Sequence, residues 1–158
     1  MNVRKATMRD IPAVLDLVNG YAGQGVMLPR TEFEMAENIR DFLVAEEDSL
    51  IEACGALHFY TPVSGEIRSV AVSPSSHRQG LGSLLAGALE REARECGLEM
   101  LFAFTYVPGF FRKLGYREVD RSELPLKAWK DCMRCPKVQC CDEVAMVKYL
   151  DRPDVVGE

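Results

Sequence analysis

The chain is predicted to be an α/β protein of the α+β kind. It should hold a mixed, mostly antiparallel sheet with one parallel β-α-β unit and flanking helices. Three observations predict this. Apolar strand-like runs at Phe42–Ala45, Ile51–Tyr60 and Glu66–Val72 follow one another through short turns, so they should pair antiparallel. A long amphipathic stretch comes next, ending at Gly97. A continuous apolar run, Leu98–Thr105 (LEMLFAFT), then reads as a buried strand, and strand, helix and strand make one parallel crossover.

Each element has a local cause. Val3–Ala6 reads as a first strand, and Thr7 caps a helix over Met8–Val18, where Ile11, Val14, Leu15 and Val18 share a face. Gly20–Pro29 (GYAGQGVMLP) is a flexible connection longer than a simple joint, which suggests a functional loop. Arg30-Thr31-Glu32 opens a second helix with Thr31 as cap and acids in the first turn. Glu46-Glu47-Asp48-Ser49 is expected as a solvated turn, and Thr61–Gly65 as the turn into the Glu66 strand.

Beyond that strand, Ser83 opens the long helix. Leu81, Leu84, Leu85, Ala88, Leu89 and Ala93 should form one face, with Glu90 and Arg94 as an i,i+4 pair on the other. Phe110–Leu114 reads as a short helix stopped by Gly115, and Tyr116–Val119 and Val144–Leu150 as two closing strands. Asp120–Asp142 between them is irregular, and 151–158 is a polar tail. The whole is expected to be a single domain over 1–150, without repeats or a linker.

A net charge of −5 argues against a general nucleic-acid binder, which would carry a basic face. The opening residues, MNVRKATMRD, lack an apolar run, so no signal peptide is expected, and no stretch reaches the length of a membrane span. A cytoplasmic location follows, where six cysteines are expected as thiols or metal ligands rather than disulfides. Cys132-x-x-Cys135 has a metal-ligand spacing, and Cys140 and Cys141 could complete a tetrahedral zinc site. Those last two are adjacent, which departs from a zinc ribbon, so reduced thiols are the preferred reading.

The chemistry concentrates on Glu66–Cys96. A strand ends in Val70-Ala71-Val72, Ser73–Ser76 breaks it, and His77-Arg78-Gln79-Gly80-Leu81-Gly82 leads to Ser83. The first N–H groups of a helix have no intrahelical partner, and the helix dipole adds positive charge there. Gly80 and Gly82 carry no Cβ, so a pyrophosphate can approach the backbone. The spacing is neither a P-loop nor a dinucleotide fingerprint.

It does resemble motif A of the GNAT acetyltransferases, [QR]-x-x-G-x-[GA], at His77, Gly80 and Gly82, with His77 in place of the usual Gln or Arg. Phe110-Phe111-Arg112-Lys113-Leu114-Gly115-Tyr116 stands where that family carries F-Y-x-x-x-G-F. Further stretches resemble the short bacterial N-acetylglutamate synthases. They are Met27–Arg30, Leu57-His58, Glu66–Ser69, Thr105–Pro108, Leu124–Cys132 and Cys140–Met146. One departure is Leu126, where a histidine is expected. Neither an amino-acid-kinase domain ahead of the acetyltransferase nor the arginine-binding part of the longer synthases is expected.

The resemblance implies acetyl-CoA as co-substrate and a small-molecule amino acid, L-glutamate, as acceptor. It implies that the turn from His77 through Arg78, Gln79, Gly80, Leu81 and Gly82 to Ser83 holds the pyrophosphate. Val70–Val72 would pair with the pantetheine arm and Phe111 would lie near the coenzyme sulfur. Attack on a thioester needs a neutral amine and hence a proton acceptor. Glu66 is the candidate base, against the plainer reading of a surface residue after Gly65.

Phe111 replaces the tyrosine that the family uses as general acid, leaving Tyr106, Ser69, water or an unprotonated thiolate. Arg68 should face the same side as Glu66, to bind a substrate carboxylate or to pair with a sheet acid. Arg30 and Lys127 are the other candidates for an anionic acceptor. His58 reads as an ordinary strand residue. A peptide, lysine, polyamine or antibiotic amine as acceptor, or a non-catalytic acyl-CoA-binding module, are the competing readings. No nucleic-acid or membrane partner is expected, and a homodimer is only the general expectation.

Overall fold

A computed structural model describes residues 1–23, 30–76, 80–124 and 143–150. Its strands are β1 (Asn2–Lys5), β2 (Phe42–Glu47), β3 (Leu50–Thr61), β4 (Ser64–Val72), β5 (Met100–Thr105), β6 (Arg117–Val119) and β7 (Val144–Tyr149). Its helices are α1 (Ile11–Gly23), α2 (Glu32–Asn38), α3 (Leu81–Glu95) and α4 (Pro108–Lys113). The strands form one seven-stranded sheet in the order β1-β2-β3-β4-β5-β7-β6. β1/β2, β2/β3, β5/β7 and β6/β7 pair antiparallel, and β4/β5 is the parallel pair. The mixed α/β sheet is the one expected. Among the described residues no helix is long and apolar enough to cross a membrane.

The chain groups into two compact units whose segments interleave. One is Met1–Leu57 with Ile67–Leu89, and the other is His58–Glu66 with Glu90–Glu158. In the first, Val14, Val18, Met35, Phe42, Val44 and Cys54 form a buried core. Arg4 ties this unit's edge together: it donates to both Asp10 carboxylate oxygens at 2.8 and 2.9 Å and to Glu46 at 2.7 Å. Hydrogen bonds from Arg4 hold the Asp10 carboxyl down at about 2, and Asp10 also accepts from the Thr7 backbone N–H at 2.7 Å. In the second unit, Phe102, Leu124, Ala145 and Val147 are the buried centre, with Tyr60, Met100 and Phe104 against them.

Several local expectations are corrected. The Thr7-capped segment begins as a 3-10 turn, Met8–Asp10, and α1 then runs on to Gly23 rather than ending at Val18. Glu46 and Glu47 belong to β2, since Glu46 is the partner of Arg4. Only Asp48 and Ser49 turn, both in left-handed backbone with φ 51 and 65°. Ser64 and Gly65 lie within β4, so the turn before it is Pro62-Val63.

α3 starts at Leu81, not Ser83. Its buried stripe is Leu81, Leu85, Ala86, Leu89, Glu90 and Ala93, while Leu84 is 46% exposed. Four residues turn a helix by about 40° beyond a full turn, so a stripe followed in fours drifts away from Leu84 and brings Glu90 to its edge. Glu90 is therefore buried, not solvent-facing. It keeps the expected Arg94 pair at 2.8 Å and also binds the Lys148 ammonium at 2.9 Å.

Candidate active site

The helix-end cradle lies in the first unit. Past Val72, the Ser73 N–H donates to the Glu52 carbonyl at 2.7 Å and the Ser76 N–H to the Ser73 carbonyl at 3.0 Å, which closes the turn. His77, Arg78 and Gln79 lie outside the described residues. Gly80 has φ +79°, a left-handed conformation suited to glycine, and α3 begins at the next residue. The first helical bond runs from the Leu84 N–H to the Gly80 carbonyl at 2.9 Å. The N–H groups of Leu81, Gly82 and Ser83 thus precede the first α-helical donor, and an anion can take them up. Leu81 turns its side chain into the protein, Gly82 is half-buried and Ser83 is exposed, so that end of the helix presents backbone and small side chains.

The strand entering the cradle is irregular. Ser69 sits in mid-strand at φ +57°, and the buried Cys54 thiol donates to its carbonyl at 3.5 Å. Burial pushes the Cys54 thiol up to about 12. A Cβ on Gly55 would meet Leu89 Cδ1 at 3.1 Å and Val70 Cγ2 at 3.3 Å, so a larger residue there would have to push these side chains aside. Val70 and Val72 are half-buried and Ala71 is buried.

Glu66 lies in the second unit. The parallel ladder runs Ser64↔Met100, Gly65↔Leu101 and Glu66↔Phe102, so Glu66 is its last member on β4. Its side chain is only 7% exposed, and Oε1 accepts a hydrogen bond from the Tyr60 hydroxyl at 3.1 Å. Tyr60 meets Phe102 at 5.2 Å between ring centres and His58 at 5.3 Å, edge-on. A buried carboxylate with a phenol donor has little water to compete for its lone pairs.

The other candidates fall as follows. Arg68 is half-buried on β4, two residues after Glu66. Tyr106 is half-buried just past the end of β5, where the Val107 N–H donates to Thr105 Oγ1 at 2.8 Å. Phe111 is buried on α4, its ring 5.1 Å from both Phe110 and Tyr116. Arg30 is pinned by Asn19: its N–H donates to Oδ1 at 2.9 Å and its carbonyl accepts from Nδ2 at 3.1 Å. Lys127 and the cysteines 132, 135, 140 and 141 lie outside the described residues. Among the described residues no group of three or more His, Cys, Asp or Glu could hold a metal ion.

Three participants escape a reading of the sequence. Tyr60 reaches Glu66 only through the β3–β4 hairpin register, Asn19 reaches Arg30 across a connection, and Lys148 reaches Glu90 over 58 residues. A polar residue within an apolar strand or near a helix end is a faint signal for each.

The Acetyltransferase (GNAT) family model matches residues 15–116. The chain is 42% identical over 148 residues to an uncharacterized N-acetyltransferase of Chlorobaculum tepidum, covering 94% of this chain and 96% of that one. It is 30% identical over 162 residues to the amino-acid acetyltransferase of Mycobacterium tuberculosis, covering 98% of this chain and 89% of that one. Its fold is similar to N-acetylglutamate synthase from Neisseria gonorrhoeae complexed with coenzyme A and N-acetyl-glutamate, with TM-score 0.88 and 28% identity. That match covers 96% of this chain and 35% of the synthase, so the chain spans about a third of that protein. On these grounds, with the cradle and the mixed sheet, the chain belongs to the GNAT acetyltransferase family and is an acetyl-CoA-dependent N-acetyltransferase.

Proposed function

We propose that the acceptor is L-glutamate and the product N-acetyl-L-glutamate, the reaction that opens arginine biosynthesis, carried out in the cytoplasm. The observation that carries the catalytic part is Glu66, a buried carboxylate held by a phenol on the strand that leads to the helix-end cradle. Similarity to amino-acid acetyltransferases and to a synthase holding N-acetyl-glutamate supports the acceptor.

In this reading the backbone N–H groups at Gly80–Ser83, with His77, Arg78 and Gln79 before them, hold the coenzyme pyrophosphate. Val70–Val72 line the pantetheine arm and Phe111 packs near its end. Acetyl-CoA supplies an activated acyl group. Glu66 accepts the proton that the α-amine loses as its nitrogen bonds to the acetyl carbon. The C–S bond breaks, and the coenzyme thiolate takes a proton from Tyr106. Glutamate carries two carboxylates, so its site needs cationic donors on two sides. Arg68 serves the α-carboxylate, and Arg30 or Lys127 the side-chain carboxylate.

The test is thiol release from acetyl-CoA against single amino acids. Glutamate should exceed alanine and lysine by at least about a hundredfold in kcat/KM, because donors placed for a second carboxylate are left unpaired by analogues without it. Glu66→Gln should lower turnover by about two to four orders of magnitude while coenzyme binding persists. Better turnover with polyamines or lysine peptides would exclude glutamate and leave the family assignment untouched.

A further inference from the structure

We propose that Tyr60 is a positioning residue that orients the Glu66 carboxylate and sets its proton affinity. The inference rests on the reading of Glu66 as base. Both residues belong to one compact unit, and the phenol oxygen stands 3.1 Å from Oε1. An ionised carboxylate only accepts, so the phenol is the donor. Donation to the charged form favours that form and keeps the base ready at lower pH.

The ring that delivers the hydroxyl is itself fixed. His58 meets it edge-on at 81° and Phe102 meets it at 56°. Phe102 is fully buried and is the ladder partner of Glu66, so the same residue supports the phenol and pairs with the base's backbone. The next ring along β5, Phe104, stands 6.1 Å from Phe102 and continues the support. Packing alone would be served by phenylalanine at position 60, whereas the hydroxyl is aimed at Glu66.

Among the described residues, His58 and Arg68 also bear on a pH profile. His58, from β3, meets the Tyr60 ring edge-on at 5.3 Å between ring centres. Arg68 lies two residues along β4 from Glu66. β5 presents Phe102, which does not ionise.

The experiment measures kcat/KM against pH for the full chain, with the best acceptor from the amino-acid panel. Tyr60→Phe should move the acid limb to higher pH by about one unit, with acetyl-CoA affinity by calorimetry and thermal midpoint close to those of the wild type. Replacing Tyr60 by 3-fluorotyrosine, a stronger donor of the same shape, should move the limb to lower pH. His58→Gln should leave the limb in place. An acid limb unmoved by both Tyr60 changes, while Glu66→Gln abolishes turnover, overturns the inference and spares the base. A limb that disappears in His58→Gln assigns it to the imidazole and also overturns the inference. Wild-type turnover in Glu66→Gln removes the base reading, and this inference with it. Should Tyr60→Phe fail to fold, the fluorinated chain decides by itself: a lowered limb supports the inference and an unmoved one refutes it.

Discussion

Lys148→Met removes one ammonium and keeps most of the stem. Lys148 Nζ lies 3.0 and 2.9 Å from the two carboxylate oxygens of Glu90 and donates to the Leu114 carbonyl at 2.8 Å. That carbonyl ends α4, and the lysine stem lies against Gly115, whose added Cβ would meet its Cε at 3.4 Å. One side chain thus joins β7, α3 and the turn after α4. Breaking a buried ion pair outright costs roughly 3–5 kcal/mol, and an orphaned carbonyl roughly 1–3. Both figures are reduced here. Glu90 keeps Arg94 at 2.8 Å, and Leu114 is half-buried, so water can reach its carbonyl. The expected loss is about 2 kcal/mol, or about 4–8 °C in Tm for a chain of this length. Urea and thermal unfolding followed by circular dichroism measure it. Glu90→Leu combined with Lys148→Met should recover part of the loss, since an apolar pair leaves no buried charge unpaired. A Lys148→Met chain within about 0.5 kcal/mol of the wild type refutes the argument, because that is the scatter of surface substitutions.

The Asp10 carboxyl, held at about 2 by Arg4, is depressed relative to its unfolded value, so its stabilisation is complete above about pH 4 and is lost as pH falls towards 2. The stability gap between wild type and Asp10→Asn, measured by urea unfolding, should therefore shrink between pH 5 and pH 2.5; a constant gap contradicts the ion pair. Alkylation at pH 8 followed by peptide mass spectrometry should label exposed Cys96 and leave Cys54 unmodified in the folded chain, since burial keeps the Cys54 thiol protonated. Gly82→Asp puts a carboxylate on the first turn of α3 and should weaken acetyl-CoA binding at least about tenfold by calorimetry, with the fold retained; unchanged affinity would move the pyrophosphate elsewhere.

Local chemistry made much of the molecule legible from the sequence. Gly97 and Gly115, at φ +84 and +94°, stop α3 and α4 where a glycine must, and the Thr31 hydroxyl caps α2 by accepting from the Glu34 N–H at 3.1 Å. The apolar runs name the strands because a pleated, half-buried surface demands them. The glycine-bearing turn before α3 was legible for the same local reason, since Gly80 takes φ +79° and the helix starts at the next residue. What depends on distant residues was not legible. Glu90 is buried because Lys148 and Arg94 satisfy it, although i,i+4 spacing places it with the solvent face. Tyr60 meets Glu66 through hairpin register, and a shift of one residue would reverse its face. The sequence alone therefore determined which elements form and where a glycine-bearing turn meets a helix start, since each follows from neighbours along the chain. The tertiary structure alone decided which partner each polar side chain meets, because that choice depends on register, helix rotation and burial set by residues far apart in sequence.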